Sequence, residues 1–353
     1  METCEHCLAR FVRRVGGVNG EVHEAMRICV FGAGAVGSFL AARLAAAGLD
    51  VAAVARGPHL AAIQADGLQL EEAAGTIHAR LTATDDPSAL GPQDAVIFTT
   101  KAHSLGTAAA LAQPLIGLET ALVFAQNGIP WWYAHGFAAP GLDEGPLPLL
   151  DPDRAIWDGF RPERAIGAVI HSPNTIVAPG VVRNAANRPA GLPLGEPKGG
   201  ASPTTVKIAA ALEAAGVRAP ILPDIRREVW SKLILNIAGA PGCSLTGASV
   251  RGMLEDPGVS ALSAAIMAEG VAVAAAHGFL LDVDIAANTD PTRWPDHKSS
   301  MLQDLEAGRL MEIDPIVGCP HAFAKAAGVP TPTLDIVLPL LRQRARTAGL
   351  YSA

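Results

Sequence analysis

Arg27-Ile-Cys-Val-Phe31 leads directly into the turn Gly32-Ala-Gly-Ala-Val-Gly37, and this junction decides the fold. The first part is a short apolar run with β-forming residues, which predicts a buried strand. Ser38–Ala47 continues as an alanine-rich helix that Gly48 ends, and Asp50–Ala55 is again an apolar strand. A strand, a glycine turn, a helix and a second strand within about thirty residues are typical of a βαβ unit.

The glycine turn is suited to binding a dinucleotide. In this motif the first glycine permits a tight turn, the second lets the backbone approach a pyrophosphate, and the third permits close packing of helix on strand. The N-terminus of the helix that follows offers unpaired N–H groups to the anion. We therefore expect the cofactor to be bound here by Gly32, Gly34, Ala35, Val36 and Gly37.

The end of the second strand indicates which dinucleotide binds. An NAD site usually places Asp or Glu about twenty residues after the glycine turn, on the ribose 2′-hydroxyl. This chain instead has Val54-Ala55-Arg56-Gly57 at that place. The planar guanidinium of Arg56 is suited to a 2′-phosphate, so the sequence favours NADPH over NADH. The alternative is that Arg56 is an ordinary solvated surface residue.

The remaining pattern predicts an α/β protein with two domains. Further apolar strands at Ala95–Thr99, Ala121–Ala125 and Ile166–Ile170 extend a Rossmann-type, doubly wound parallel sheet. From Val206 onward the pattern is helical, and Asp314-Pro315 is typical of an N-cap followed by proline. The helices are expected at 206–215, 224–239, 259–277, 299–307, 314–327 and 333–346. The predicted division is a disordered leader over 1–25, an NADP-binding domain over 26–221, and an all-helical domain over 222–353 that binds substrate and dimerises.

Composition excludes several classes of function. The 353 residues include 27 Lys and Arg against 34 Asp and Glu, giving a net charge of −7 without a basic cluster, so no nucleic-acid partner is expected. The apolar stretches Val36–Ala55 and Val259–Gly278 carry charged residues, so no membrane span is expected. Cys4-Glu-His-Cys7 has no second ligand pair, so we predict no metal site. No signal-peptide core precedes the first strand, and we expect a cytoplasmic protein.

A second group of residues carries chemistry. Lys232 and Asn236 lie four apart and share one face of an otherwise apolar helix. A lysine withdrawn from water becomes a usable proton donor near neutral pH. Lys101 and Asn127 each follow a predicted strand, at the sheet edge where ligands bind in such folds. The ordinary alternatives are a solvated lysine in each case and, for Asn127-Gly128, a plain turn.

Ser300 and Glu312 form the last candidate pair. Ser300 opens a predicted helix, where its hydroxyl and the free N–H groups are suited to a carboxylate. Glu312 shares a pocket with Ser300 only if the helix breaks between them, and Gly308 offers such a break. A plain N-cap for Ser300 and a helix-dipole role for Glu312 are the alternatives.

Taken together, these stretches resemble the ketopantoate reductase (2-dehydropantoate 2-reductase) family, in the family's order over nearly the whole chain. The residues that carry the resemblance are Ile28-Cys-Val-Phe-Gly-Ala-Gly-Ala-Val-Gly37, Arg56-Gly57, Lys101, Gln126-Asn127-Gly128, Trp230-Ser-Lys-Leu233 with Asn236, Ser299-Ser-Met-Leu-Gln-Asp304, and Glu312-Ile-Asp314.

The resemblance implies reduction of 2-dehydropantoate to pantoate by NADPH, in a cleft between the two domains. Lys232 would be the general acid that protonates the ketone oxygen. Asn127, Asn236 and Ser300 would hold the 2-oxo acid, and Glu312 would fix its distal hydroxyl. Gly32, Gly34, Ala35, Val36, Gly37, Arg56, Lys101 and Asn127 would bind NADPH. Related folds also bury helices between subunits, so a homodimer is expected.

Three departures from the family pattern concern the substrate. Ala240-Pro241 stands where the family commonly has Asn-Pro, and His297 stands where it often has asparagine. The loop that carries Trp131, Trp132 and Trp157 is also longer than in compact members. An NADPH-dependent reductase of a different 2-oxo acid, ketone or imine is therefore the alternative function, and a nucleotide-sensing protein without turnover is a third.

Overall fold

The computed structural model describes residues 26–186 and 189–351. These residues form two compact units. The first unit comprises the described residues up to Thr100, Thr107–Gln126, and the described residues of Arg164–Pro223. The second, called here the helical unit, comprises Lys101–Gly106, Asn127–Glu163 and the described residues from Asp224 onward. The predicted leader over 1–25, with Cys4 and Cys7, lies outside the described residues.

The strands all belong to the first unit, and the helices are divided between the two. The strands are β1 (Arg27–Phe31), β2 (Asp50–Val54), β3 (Leu68–Glu72), β4 (Gly75–Ala79), β5 (Thr82–Thr84), β6 (Gln93–Phe98), β7 (Ile116–Phe124), β8 (Ala165–Ala168), β9 (Asn174–Ala178), β10 (Val181–Asn184) and β11 (Leu194–Gly195). The α-helices are α1 (Ala35–Ala46), α2 (Gly57–Asp66), α3 (Leu105–Leu111), α4 (Ala155–Phe160), α5 (Pro203–Ala214), α6 (Ile225–Thr246), α7 (Val250–Leu254), α8 (Pro257–Ala276), α9 (Ile285–Asn288), α10 (Ser300–Glu306), α11 (Cys319–Ala327) and α12 (Pro332–Thr347).

A seven-stranded sheet with the order β11-β8-β7-β6-β1-β2-β5 forms the centre of the first unit. Neighbouring strands from β5 to β8 run parallel, and β11 joins β8 antiparallel at one edge. The four apolar residues of Ile28–Phe31 are all buried, as are the last four of β6. Strands covered on both faces need such continuous apolar runs. The predicted Rossmann-type parallel sheet is confirmed.

A smaller sheet with the order β4-β3-β10-β9 lies on the other side of α1. Because α1 contacts strands of both sheets, nearly every residue of its middle is buried, from Gly37 to Ala42. Alanine and glycine let the two sheets approach the helix closely. This explains why most of the surface of α1 is formed by small and apolar residues.

The helical unit is built on α6, which packs against α8, α10 and α12. The helix was expected to end at 239, before Pro241, but it continues through this proline to Thr246 and ends at Gly247, which has a φ of +74°. Proline removes one helical hydrogen bond. Here the turn from Ala240 to Ser244 is completely buried, so tertiary packing outweighs that loss.

Helix α8 is the one described helix that is long and apolar enough to cross a membrane by length and composition. It packs against α6, α11 and α12, and its Glu269 is buried. The carboxylate of Glu269 accepts the backbone N–H groups of Thr333 and Leu334, at 2.7 and 3.0 Å, at the start of α12. The buried Glu269 carboxylate therefore ties α8 to the start of α12 within the helical unit.

Two further expectations need correction. Residues 127–163 were assigned to the NADP-binding domain, but they belong to the helical unit, because their aromatic side chains pack there. Asp314 was expected to cap a helix. It lies instead at the first position of a π-helical turn over Asp314–Gly318, and its carboxylate binds Arg342 and Tyr351.

Candidate active site

Lys232 lies on the middle of α6 and binds Asn127 directly. The Lys232 ammonium donates a hydrogen bond of 2.7 Å to the Asn127 Oδ1 atom, in a part-buried position. Asn236 follows one turn later on α6 and is half-buried. The structure thus brings together Lys232 and Asn127, which were predicted from distant parts of the sequence.

The segment that carries Asn127 is anchored on the preceding turns of the same helix. Arg226, buried near the start of α6, donates to the carbonyl oxygens of Tyr133 and His135, at 2.8 and 2.6 Å. The Trp230 indole donates to the Tyr133 hydroxyl at 2.8 Å. Buried hydrogen bonds of this kind fix one arrangement of the backbone. The loop is therefore held at the N-terminal half of the helix that presents Lys232.

The same segment also touches the residues that follow Glu312. The Ile129 N–H donates to the Pro315 carbonyl at 2.7 Å. Gly128 has a φ of +82°, and a Cβ atom there would overlap the Pro315 backbone. Only glycine therefore fits this close approach without strain. The backbone segment that carries Asn127 and the segment that carries Glu312 are therefore held against each other.

Glu312 is a buried carboxylate, with 8% of its surface exposed. Its Oε1 atom accepts the Ala102 N–H at 3.0 Å. Burial raises the pKa of Glu312, while the Ala102 hydrogen bond and the positive charges of Lys101 and Lys232 act against that rise. The helix α10 ends at Glu306 and Gly308 has a φ of +64°, so the predicted break before Glu312 is present.

The electrostatics of Lys232 are suited to proton transfer. Burial lowers the pKa of Lys232 to about 8, and the negative charges of Glu312 and Glu228 act against a larger fall. A group whose pKa lies near the working pH can give up a proton and regain it. Desolvation lowers the pKa of the Lys232 ammonium, and the negative charge of Glu312 raises it.

Lys101 is bound to other residues of the helical unit. Its ammonium lies 2.6 Å from Asp304 and donates to the Leu310 carbonyl at 2.9 Å. The Asp304 carboxylate is buried and also binds Arg309 at 3.0 Å. Sequence reasoning assigned no role to Asp304, although it ends the quoted Ser-Ser-Met-Leu-Gln-Asp stretch. The cofactor contact expected of Lys101 stays a prediction.

Ser300, His297 and Ala240, the other residues considered for the substrate site, differ in their exposure to solvent. Ser300 is exposed and is the first residue of α10, and the cap of this helix is Ser299, whose hydroxyl accepts the Leu302 N–H at 3.3 Å. His297 is also exposed. Ala240 is buried.

Two of the three tryptophans in the loop that carries Trp131, Trp132 and Trp157 are buried. Trp131 and Trp132 are 2% and 1% exposed and pack in the interior. Trp131 and Trp132 are therefore core residues of the helical unit.

The glycine turn has the form that a dinucleotide pyrophosphate requires. Gly32 has a φ of +98°, and a Cβ atom there would lie 2.6 Å from the Thr100 side chain. A Cβ atom on Gly37 would overlap the Gly32 carbonyl, whereas Gly34 is exposed and has open space beside it. No side chain caps α1, which begins at Ala35 after Gly34. Its first N–H groups therefore suit a phosphate, and the residues present fit the cofactor.

The position of Arg56 is compatible with the expected contact to the 2′-phosphate of a bound dinucleotide. It is exposed directly after β2 and precedes Gly57, the first residue of α2. Among residues 26–186 and 189–351, no group of three or more His, Cys, Asp and Glu side chains is placed to hold a metal ion.

A dinucleotide-type turn in one unit and a desolvated lysine with a buried carboxylate in the other define a nicotinamide-dependent oxidoreductase. Comparison with known proteins agrees. The family model described as "Ketopantoate reductase PanE/ApbA" matches residues 28–130, and the model described as "Ketopantoate reductase PanE/ApbA C terminal" matches residues 224–345. The chain belongs to the ketopantoate reductase family, whose members are NAD(P)H-dependent oxidoreductases acting on CH–OH groups.

Similar individual proteins cover nearly the whole chain. A 2-dehydropantoate 2-reductase from Mesorhizobium japonicum is 42% identical over 93% of this chain and 100% of its own length. A solved structure from Ralstonia solanacearum, named as a candidate ketopantoate reductase, is 41% identical, has a TM-score of 0.85, and matches over 93% of this chain and 100% of its own. A D-mandelate dehydrogenase solved with NADH and anilino(oxo)acetate shares the fold at 22% identity and a TM-score of 0.77, over 92% of this chain and 100% of its own.

Proposed function

We propose that this protein reduces 2-dehydropantoate to pantoate with NADPH, and that Lys232 supplies the proton. The observation that carries the proposal is the Lys232 ammonium, which burial brings to a pKa of about 8 while it donates to Asn127 at 2.7 Å. The similarity to 2-dehydropantoate 2-reductases over the full length supports the substrate.

Lys232 acts on the oxygen of the ketone. When bound, the nicotinamide supplies a hydride to the carbonyl carbon. Negative charge then develops on the carbonyl oxygen, and a positioned ammonium stabilises it more in the transition state than in the ground state. Lys232 gives its proton to that oxygen and becomes a neutral amine, which regains a proton from water. A pKa of about 8 keeps both steps within reach at neutral pH.

The neighbouring residues hold the substrate and the lysine. Asn127 keeps the Lys232 ammonium in one orientation, which reduces the entropy that must be lost at the transition state. Asn127, Asn236 and Ser300 are proposed to bind the 2-oxo acid group. Glu312 accepts a hydrogen bond from the substrate's distal hydroxyl, a role that fits a carboxyl group whose single backbone contact leaves further lone pairs available.

The cofactor preference follows from the first unit. Gly32, Gly34, Ala35, Val36 and Gly37 would hold the pyrophosphate, and Arg56 would pair with the 2′-phosphate of NADPH. Lys101 and Asn127 are proposed as further cofactor contacts. A homodimer and a cytoplasmic location remain predictions from the sequence.

The deciding experiment is NADPH oxidation by the purified protein with 2-dehydropantoate, measured beside a panel of other 2-oxo acids and repeated with NADH. We expect saturable turnover, with the highest kcat/KM for 2-dehydropantoate and for NADPH. Slow turnover of 2-dehydropantoate beside fast turnover of another oxo compound would refute the substrate and favour the alternative reductase. NADPH binding without oxidation of any compound would refute the reductase activity.

A reductase of another 2-oxo acid, ketone or imine is the second candidate. It is favoured by the exposed imidazole of His297, three residues before Ser300, where the resembled family often has asparagine. An imidazole is larger than an amide and offers two ring nitrogens in place of the amide group. A His297→Asn variant tests this candidate. Improved turnover of 2-dehydropantoate, at the expense of the compound that the native protein prefers, would support it.

A further inference from the structure

The end of the chain returns to the segment that carries Glu312. On one side of Glu312, the Met311 N–H donates to the Leu350 carbonyl at 3.0 Å. On the other side, the Tyr351 hydroxyl lies 3.0 Å from both carboxylate oxygens of Asp314. Glu312 is thus bracketed by two contacts with consecutive residues from the end of the chain.

The contact at Asp314 is supported from α12. Arg342 donates to the Asp314 Oδ1 atom at 2.7 Å, and its guanidinium lies 5.7 Å from the centre of the Tyr351 ring. The guanidinium of Arg346 lies 5.3 Å from the same ring. Charge-assisted hydrogen bonds and cation–π contacts both favour a fixed position for Tyr351.

Gly318 makes room for this pair of charges. A Cβ atom on Gly318 would lie 2.6 Å from the Asp314 Oδ1 atom and 3.0 Å from Arg342. The π-helical turn over Asp314–Gly318 brings the carboxylate to this place, and such turns recur at functional sites. This arrangement also explains why Asp314 does not cap a helix.

Tyr351 and Glu312 line the same cavity. The cavity measures about 150 Å³, and its wall includes His103, Leu149, Glu312, Asp314 and Tyr351. Loss of the tyrosine contact would therefore widen the space beside Glu312 and admit more water to a carboxylate that is now buried.

We propose that Leu350 and Tyr351, together with Asp314 and Arg342, form a C-terminal clamp that positions Glu312 for the substrate. These four are positioning residues, since they act through the backbone on either side of Glu312. The proposal rests on the proposed function, in which Glu312 binds the distal hydroxyl. Because Pro315 accepts the Ile129 N–H, the clamp also supports the backbone next to Asn127.

The test begins with Tyr351→Phe, which removes the hydroxyl and keeps the ring beside Arg346. We expect the KM for 2-dehydropantoate to rise about tenfold, which is less than the roughly hundredfold effect of a 1 Å misplacement. NADPH affinity and the melting temperature should stay close to those of the native protein. Gln343→Ala, a change at an exposed residue of α12, is the matched control and should leave all three quantities unchanged.

A second variant, a chain that ends at Gly349, removes both contacts. Hydrogen exchange of the backbone at residues 310–315 is measured for this variant and for Tyr351→Phe. We expect faster exchange there in both, and unchanged exchange in α1. Unchanged exchange at 310–315 would overturn the clamp, and faster exchange with an unchanged KM in both variants would overturn its role in positioning Glu312.

Glu312→Gln separates this inference from the proposed function. If Glu312→Gln leaves the KM for 2-dehydropantoate unchanged, the proposed role of Glu312 fails, and with it the purpose that we assign to the clamp. If Glu312→Gln raises KM and Tyr351→Phe does not, the proposed function stands and the inference is refuted.

Discussion

Replacing Lys232 tests two properties of one side chain: its proposed role as proton donor and the free-energy cost of burying its charge. The ammonium is the proposed proton donor, and it is also a charge withdrawn from water, because burial lowers the pKa of Lys232 from 10.5 to about 8. Removing it should therefore abolish the chemistry and, at neutral pH, make folding more favourable. A residue that served only structure would give the opposite result for stability.

The expected sizes follow from these two effects. A general acid contributes about 10²- to 10⁴-fold to the rate, so kcat of Lys232→Met should fall by that factor, or by about 3 to 5.5 kcal/mol of barrier. The lowered pKa means that the folded state disfavours the ammonium, and each pKa unit corresponds to about 1.4 kcal/mol. Allowing for the lost hydrogen bond to Asn127, Lys232→Met should be about 1 to 2 kcal/mol more stable at pH 7.

The sign of the pH dependence is fixed by the same values. Below pH about 8 Lys232 is protonated in both the folded and the unfolded state, so the full penalty applies to the folded native protein. The penalty disappears above pH 10.5, the ordinary pKa of the lysine, where both states are neutral. The stability advantage of Lys232→Met should therefore shrink as the pH rises from 8 to 10.5. In the native enzyme, kcat/KM for reduction should fall above pH about 8, since the protonated lysine is required.

The assay combines steady-state NADPH oxidation, NADPH binding by fluorescence, and unfolding by urea at several pH values. Lys207→Met, a change at an exposed lysine of α5, is the control and should leave activity intact. Lys232→Ala should recover part of its rate with a small primary amine in solution. Near-normal turnover in Lys232→Met would refute the mechanism. Loss of turnover together with loss of NADPH affinity would refute the division of roles.

Three further outcomes are expected. Arg56→Ser should raise the KM for NADPH about tenfold or more and change the KM for NADH far less, as measured with both cofactors, because one charge-assisted contact to phosphate is lost. Gly128→Ala should lower both kcat and the melting temperature, because φ is +82° there and the new methyl group would overlap the Pro315 backbone. Glu269→Ala should cost about 2 kcal/mol in urea unfolding without changing NADPH affinity, since the N–H groups that begin α12, including that of Leu334, lose their acceptor.

Features fixed by local chemistry could be predicted from the sequence. The run Arg27–Phe31 is β1 to the residue, and the glycine turn after it leads into α1 as expected. Lys232 was singled out because it lies on a helix among apolar neighbours, a property of a few adjacent residues. The break near Gly308 was predicted on the same basis, since glycine readily adopts a positive φ.

Features that depend on distant partners could not be predicted in this way. Asn127 and Lys232 are 105 positions apart, and only the family resemblance, not the pattern of either segment, indicated that they meet. The strands β3 and β9 are partly or mostly exposed, so their sequences lack the continuous apolar run that marks β1. The helix predicted over 224–239 in fact continues through Pro241, because the burial that offsets the missing hydrogen bond comes from other helices.

The opposite pKa shifts of Lys232 and Glu312 explain why this site depends on its surroundings. Burial moves each group toward its neutral form, and the charge of each opposes that change in the other. Removing either charge would therefore move the pKa of the other group further toward its neutral form. Asn127 and the Ala102 N–H offset part of the cost of burial by binding the two groups directly. The backbone that presents Asn127 and Glu312 must for this reason be held firmly, and its anchors at Arg226 and Tyr351 are consequences of placing these charges in the interior.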